Sequence, residues 1–303
     1  MKPSAADRLE VRPPRHEETA EIVRLLTDGE SEMRRHLITS SVSGALNNPN
    51  AKTIGLVAAN DKRVAGATIA SAMPGGTGVL IGLRIDSKAD LEVASLLYQA
   101  LSRYLHALGV TFIQAICDPE NTPREWRAIE LNHLADLDYL SADTSAIRVS
   151  PTDAISFGPA SELTDERLSA LLSETYLGTL DCPIMNEYRN ADETLASYRA
   201  AANYDVTAWR IAFHQGTPVG CVLTTPFPSS DAIEITYMGI VPEGRGHRWG
   251  LELVAETQRL AQARSLSSIN LGVDRTNSPA IAIYRDCGFT KFFSEAVWGQ
   301  RLT

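Results

Sequence analysis

The chain has few cysteines and no pattern that would pair them. Cys117, Cys182, Cys221 and Cys287 are scattered over 303 residues, with no C-x-x-C pair and no histidine at metal-ligand spacing. This argues against a metal site and points to reduced thiols. Long apolar runs are also missing. None approaches the roughly 18 residues that a membrane span requires, and the opening MKPSAADRLEVRPPR is charged and without an apolar core. Neither a secretory signal nor a membrane partner is expected, and the cytoplasm is the expected location. Basic excess is absent too: 28 Lys and Arg stand against 37 Asp and Glu, a net charge of −9. Nucleic-acid binding needs a cationic surface, so that class is set aside. An acidic chain suits a small or cationic substrate. No segment is low-complexity.

What is present is an internal repeat. The length suggests two domains at roughly 150 residues each. Segments 53–70 and 208–224 both read as strand, polar turn, strand. VTFIQAICDPENTP (110–123) is mirrored by LSSINLGVDRTNSP (266–279), with Asp118, Asn121 and Pro123 matching Asp274, Asn277 and Pro279 at a constant offset of 156. Leu91, Ala94, Leu97, Leu101, Leu105 and Leu108 make one helical stripe before the first of these strands, and Leu251, Val254 and Leu260 do so before the second. Each half therefore predicts a leading strand and helices, a hairpin, another strand, a long helix, a strand and a short helix. This is an α/β (α+β) unit with a mixed, mostly antiparallel sheet flanked by helices, made twice, over 1–150 and 151–303. The join is expected within 148–166.

In the second half the strand 233–242 feeds a helix through GRGHRWGLEL, residues 244–253. A glycine-rich turn between strand and helix leaves several N–H groups unpaired and aligned, with the helix dipole behind them, and that arrangement favours a phosphate. The stretch YMGIVPEGRGHRWGLELV resembles the acyl-CoA loop of the GNAT acetyltransferase superfamily, with Arg245 in the first signature position, Arg248 where the middle glycine is usual, and Gly250 in the last. NSPAIAIYRDCGF (277–289) resembles the second signature of that superfamily. The duplicated architecture is similar to that of the mycothiol synthase family.

The resemblance implies two tandem GNAT-like domains, acetyl-CoA as co-substrate, and no metal. It also implies that Met238, Gly239, Ile240, Val241, Arg245, Gly246, His247, Arg248, Trp249, Gly250, Leu251 and Asn277 contact the cofactor, with Glu234 as general base and Tyr284 as general acid. The chemistry fits these residue types. An amine attacks a thioester only when neutral, and α-amino groups (about 7.7 to 8) and lysines (about 10.4) are mostly protonated at pH 7, so a carboxylate must take a proton. A backbone N–H in Met238–Gly239–Ile240, freed by a bulge, would serve the oxyanion. A tyrosine would assist the departing thiolate. Structural readings stand beside these: Glu234 facing solvent, Tyr284 in the core, Asn277 only capping a helix, Arg245 a surface charge. At Arg248 the cradle survives if the backbone is already helical, and a working site is expected.

The same offset of 156 places Gly78 at Glu234, Ala128 at Tyr284, and Ala89, Asp90, Glu92 and Ala94 across the loop, so the first half is expected to bind no acyl-CoA. In the superfamily the segment 175–193 covers the acceptor pocket. Asp181, Asn186, Glu187 and Arg189 are therefore candidate contacts for a small-molecule or peptide amine, while Cys182 reads as a structural thiol rather than a nucleophile. The expected state is a monomer or homodimer. The function expected is acetyl transfer to a primary amine. A silent pair of folds binding CoA or a partner, and a transferase using a longer acyl or aminoacyl donor, are the alternatives.

Overall fold

The computed structural model describes residues 9–47, 52–61, 63–147 and 154–302. The first eight residues and positions 148–153 of the expected join lie outside the described residues. The chain forms two compact units, one of Met1–His133 with Val297–Thr303 and the other of Leu134–Ala296.

Unit 1 runs β1 (Glu10–Arg12), α1 (Thr19–Thr27), α2 (Glu32–Asn47), β2 (Thr53–Ala59), β3 (Val64–Met73), β4 (Thr77–Ile85), α3 (Glu92–Ala107), β5 (Phe112–Cys117) and α4 (Arg124–Ala128). The strands lie in that order, antiparallel except for β4 beside β5. β3 is buried almost throughout, because α1 and α3 both pack on it. On α3, Val93, Ala94, Leu97, Leu101 and Leu105 are buried at helical spacing. Leu91 and Leu108, read from sequence as the ends of that stripe, are exposed, since they are the cap residues just outside the helix.

β6 (Asn132–Asp143) then leads into unit 2, which continues with β7 (Ser156–Pro159), α5 (Asp165–Tyr176), α6 (Ala191–Arg199), β8 (Arg210–His214), β9 (Thr217–Phe227), β10 (Ala232–Ile240), α7 (Trp249–Ala263), β11 (Ser268–Asp274), α8 (Ser278–Asp286) and β12 (Thr290–Arg301). Its strands follow the order β7-β8-β9-β10-β11-β6. The β8–β9 hairpin turns on Gln215 and Gly216, both with positive φ (50° and 80°), the requirement of a tight two-residue turn. Thr164 caps α5, Asn190 and Glu193 box the start of α6, and Asn277 caps α8. The core gathers Leu172, Trp209, Ile233, Leu253 and Ile269 between α5, α7 and the sheet. β6 pairs with β11 from Leu137↔Asp274 to Asp143↔Ser268, whereas Val297 onward of β12 belongs to unit 1. Each unit thus includes strand residues from the other half of the sequence.

The feature that positions the site is a wedge in the unit 2 sheet. β10 pairs with β9 along its whole length but with β11 only over Ala232–Ile235, and the β9 register shifts between Ile235 and Tyr237. Past this bulge at Thr236 the parallel partner has gone. Unit 1 has the same device: β4 pairs with β5 only over Thr77–Leu80, with a register shift facing Ile69 and Ala70. The pairing also corrects the sequence alignment of the halves. Glu234 faces Asn270, and the residue facing Gln114, one repeat earlier, is Val79 rather than Gly78.

Candidate active site

From the open end of the wedge the chain passes through a 3-10 turn, Pro242–Gly244, to Arg245 and the first turn of α7. Gly244 is buried, and a Cβ there would come within 2.6 Å of the Trp249 ring and 2.7 Å of Ile240. Its N–H donates to Val241 O (2.9 Å) and that of Arg245 to Pro242 O (3.1 Å). The next five amides, Gly246 to Gly250, donate to no described group, and pairing resumes with Leu251 N–H to Arg248 O (3.0 Å). Gly246 takes φ +83° with open space around it. Trp249 is buried between His247 (5.1 Å, 27°) and His214 of β8 (5.0 Å, 36°), which fixes the helix start on the sheet. Five unpaired amides at the N-terminus of a 15-residue helix are a donor set that fits a diphosphate.

One expectation for this loop changes, and two further residues prove to have structural work. Arg248 is not helical: it is left-handed at φ 63°, ψ 14°, a conformation costing a side-chain-bearing residue about 1–2 kcal/mol. Its amide nonetheless stays available, and its exposed guanidinium forms no ion pair with a described residue. Arg245, expected at the cofactor, braces the loop, donating from Nε to Ile240 O (3.3 Å), Nη1 to Gly178 O (3.0 Å) and Nη2 to Thr175 O (3.0 Å). Gly250 makes room for α8, since a Cβ would lie 2.7 Å from Ile283 Cδ1. The amides of Val241 and Leu251 are also engaged, the former with Val219 O (3.0 Å). Because successive strand amides point to opposite edges, Gly239 and Val241 face β9, while Met238 and Ile240 face the wedge.

Glu234 stands half-buried on β10, and burial pushes its carboxyl above the ordinary range. Its cross-strand neighbours are Thr225 on β9 and Asn270 on β11, with Ser141 of β6 beyond, so all four share one sheet face. On that face Gly272 is exposed and Tyr139 lies over it, donating from its hydroxyl to Glu295 Oε2 (2.8 Å). Burial, then the charges of Glu295 and Glu234, keep this phenol protonated. The bulge brings Tyr237 to the same face. Its hydroxyl is 2.6 Å from Thr175 Oγ1, and its ring meets Tyr176 edge-on at 5.6 Å.

The segment around Asp181 and Cys182 is fastened to the end of β11. Asp181 Oδ1 accepts the Asp274 N–H (3.0 Å), and Asp274 Oδ2 accepts the Cys182 N–H (3.1 Å). Asp181 keeps an exposed edge, yet desolvation by its surroundings, with the charge of Asp274, raises its pKa against the opposing bond from Asn277. Its carboxylate is therefore engaged in holding the loop. Cys182 is left-handed (φ 44°), and burial followed by the two nearby carboxylates raises its thiol pKa, which suppresses the thiolate a nucleophile needs. Tyr284 on α8 is 5% exposed, packs on Phe289 at 5.5 Å, and is kept protonated by burial and then by Asp181. Asn277 accepts the Ala280 N–H (3.3 Å). Asn186 and Glu187 lie on an exposed 3-10 turn. Arg189 projects from the end of that segment to Ser197 Oγ (2.9 Å).

Residues 171–289 match the Acetyltransferase (GNAT) family, a span holding the wedge, the loop and α8. Over that span the chain is similar to the GNAT acetyltransferases. A mycothiol acetyltransferase of Arthrobacter sp. is 29% identical over 68 residues, 22% of this chain and 21% of that protein. An uncharacterized N-acetyltransferase of Schizosaccharomyces pombe is 34% identical over 74 residues, 24% of this chain and 45% of its own length. The chain thus spans less than half of these relatives. Among solved structures, a GCN5-related N-acetyltransferase from Sphaerobacter thermophilus superposes with TM-score 0.60 at 15% identity, covering 99% of this chain and 97% of that one. A tandem GNAT protein from the clavulanic acid biosynthesis pathway gives 0.51 at 15%, covering 98% and 99%. These two show a common fold.

Sequence reasoning missed Tyr139 and Glu295, whose hydroxyl and charge lie near Glu234, because Tyr139 precedes the expected domain join. One signal could have found them: they lie 156 residues apart, the repeat offset, as do Asp138 and Ser294, which are also hydrogen-bonded (2.7 Å).

Proposed function

We propose that unit 2 is an acyl-CoA-dependent N-acetyltransferase that moves an acetyl group from acetyl-CoA to a primary amine by direct attack, and that unit 1 binds no acyl-CoA. The observation that carries this reading is the conjunction, in one unit, of five unpaired amides at the start of α7 with an open strand wedge bordered by Glu234.

The Gly246–Gly250 amides and the α7 dipole hold the diphosphate of the co-substrate, and the free amides of Met238 and Ile240 hydrogen-bond the acyl-bearing arm in the wedge. Acetyl-CoA supplies the activated thioester. Glu234 takes the proton of the attacking amine, directly or through one water, and its burial moves its pKa toward that of the amine, as a base working near neutral pH requires. Tyr284, held protonated, donates a hydrogen bond to the departing thiolate; its raised pKa favours stabilisation over full proton transfer.

Unit 1 has filled its own loop. The Asp86 carboxylate accepts the Lys88 N–H (2.9 Å) and the Asp90 carboxylate accepts the Glu92 N–H (3.0 Å), putting two negative charges beside the start of α3. A diphosphate would meet like charge there. Val79 replaces the base.

The test is Glu234→Gln. Turnover at neutral pH should fall by about 10²–10⁴ with acetyl-CoA affinity unchanged. An equal loss of both would remove Glu234 as the base.

A further inference from the structure

Arg189 follows the 3-10 turn that ends at Glu187 and immediately precedes the α6 cap, Asn190. Its Nη2 donates to Ser197 Oγ (2.9 Å), but its Nε is buried without an acceptor, and the guanidinium forms no ion pair with any described carboxylate. Two acids of the neighbouring segments are committed elsewhere. Asp181 holds the Asp274 amide, and Glu193 accepts the Asn190 N–H (2.9 Å) in the α6 capping box. A guanidinium with a desolvated, unpaired donor calls for an anion. Tyr198 directly follows Ser197, the residue to which Arg189 donates; its hydroxyl makes no hydrogen bond with a described residue, and burial keeps it protonated as a second donor. Tyr198, Tyr176 and Tyr237 pack against the same core, and Tyr237 shares the Glu234 face of β10.

We propose that Arg189 and Tyr198 form a carboxylate-binding subsite of the acceptor pocket, so that the amine acetylated carries a carboxylate. The inference rests on the transfer reading above and narrows its acceptor to amino-carboxylates. One guanidinium balances one carboxylate, and its planar fork with a neighbouring phenol suits two carboxylate oxygens.

The test uses the full chain and matched acceptors: amino acids and their primary amides. The amide's less basic amine is more often neutral at pH 7, which alone would favour the amide. The subsite predicts the reverse, with kcat/KM for the carboxylate higher on the order of 10- to 100-fold. Arg189→Gln should abolish that preference through KM while kcat holds, and Tyr198→Phe should weaken it. A structural brace would lower Tm when removed, whereas removal of an unpaired buried cation leaves Tm unchanged or raises it. Equal rates for the paired acceptors, or a preference that survives Arg189→Gln, overturns the subsite while leaving acetyl transfer intact. If no amine is acetylated the transfer reading fails. Calorimetry with an N-acetyl amino acid then decides the subsite separately, binding lost in Arg189→Gln supporting it and absence of binding overturning it.

Discussion

In the role proposed for it, Glu234 serves activity at a cost to stability. Its pKa in the folded protein lies above the unfolded value of about 4.3. The folded state therefore binds this proton more tightly, and the penalty for ionising it is absent below about pH 4 and grows as pH rises through the folded value. Glu234→Gln should raise Tm at pH 7 and give no gain at pH below about 4, measured by thermal unfolding across that range; a gain independent of pH would contradict the assignment. Arg248 carries a different strain, the left-handed φ of 63°. Arg248→Gly should stabilise the protein by about 1 kcal/mol, read from denaturant midpoints, and a loss would mean that the side chain has contacts outweighing the strain. The places of Glu234 on a strand and of Gly246 in the turn before a helix were legible, since a carboxylate in a strand and a glycine before a helix each announce themselves. Arg245 was not. Its motif position suggested a ligand contact, but a side chain with five donors takes whatever carbonyls the fold supplies, here those of Thr175, Gly178 and Ile240.

Among the elements, the hairpins, α3, α7 and the strand before the loop were readable because each is a local pattern of alternating or helical apolar spacing ended by turn residues. The wedge was partly readable, since a bulge could be anticipated from the need for a free amide but not placed at Thr236. β6 and β12 were not assigned to their units, because pairing between Leu137 and Asp274, far apart in sequence, leaves no local trace. The loop is the element most open to test. Gly244 presses on Trp249 and Ile240, so Gly244→Ala should cost roughly 1–3 kcal/mol by overpacking and weaken acetyl-CoA binding as the first turn of α7 shifts. Unaltered affinity and Tm would show that the turn does not set the cradle.

In the whole molecule, the two units share a sheet pattern and a register shift, yet differ where anions would meet backbone. Unit 2 leaves five amides unpaired, whereas unit 1 caps its loop with Asp86 and Asp90. Repetition was legible from the 156-residue offset, and the loss of carboxylate and glycines from the first half could be read position by position. The proposed division of labour rests on those differences. Isothermal titration of the intact chain with acetyl-CoA measures it most directly. One site per chain is the predicted result, and two sites, or none, would contradict the account.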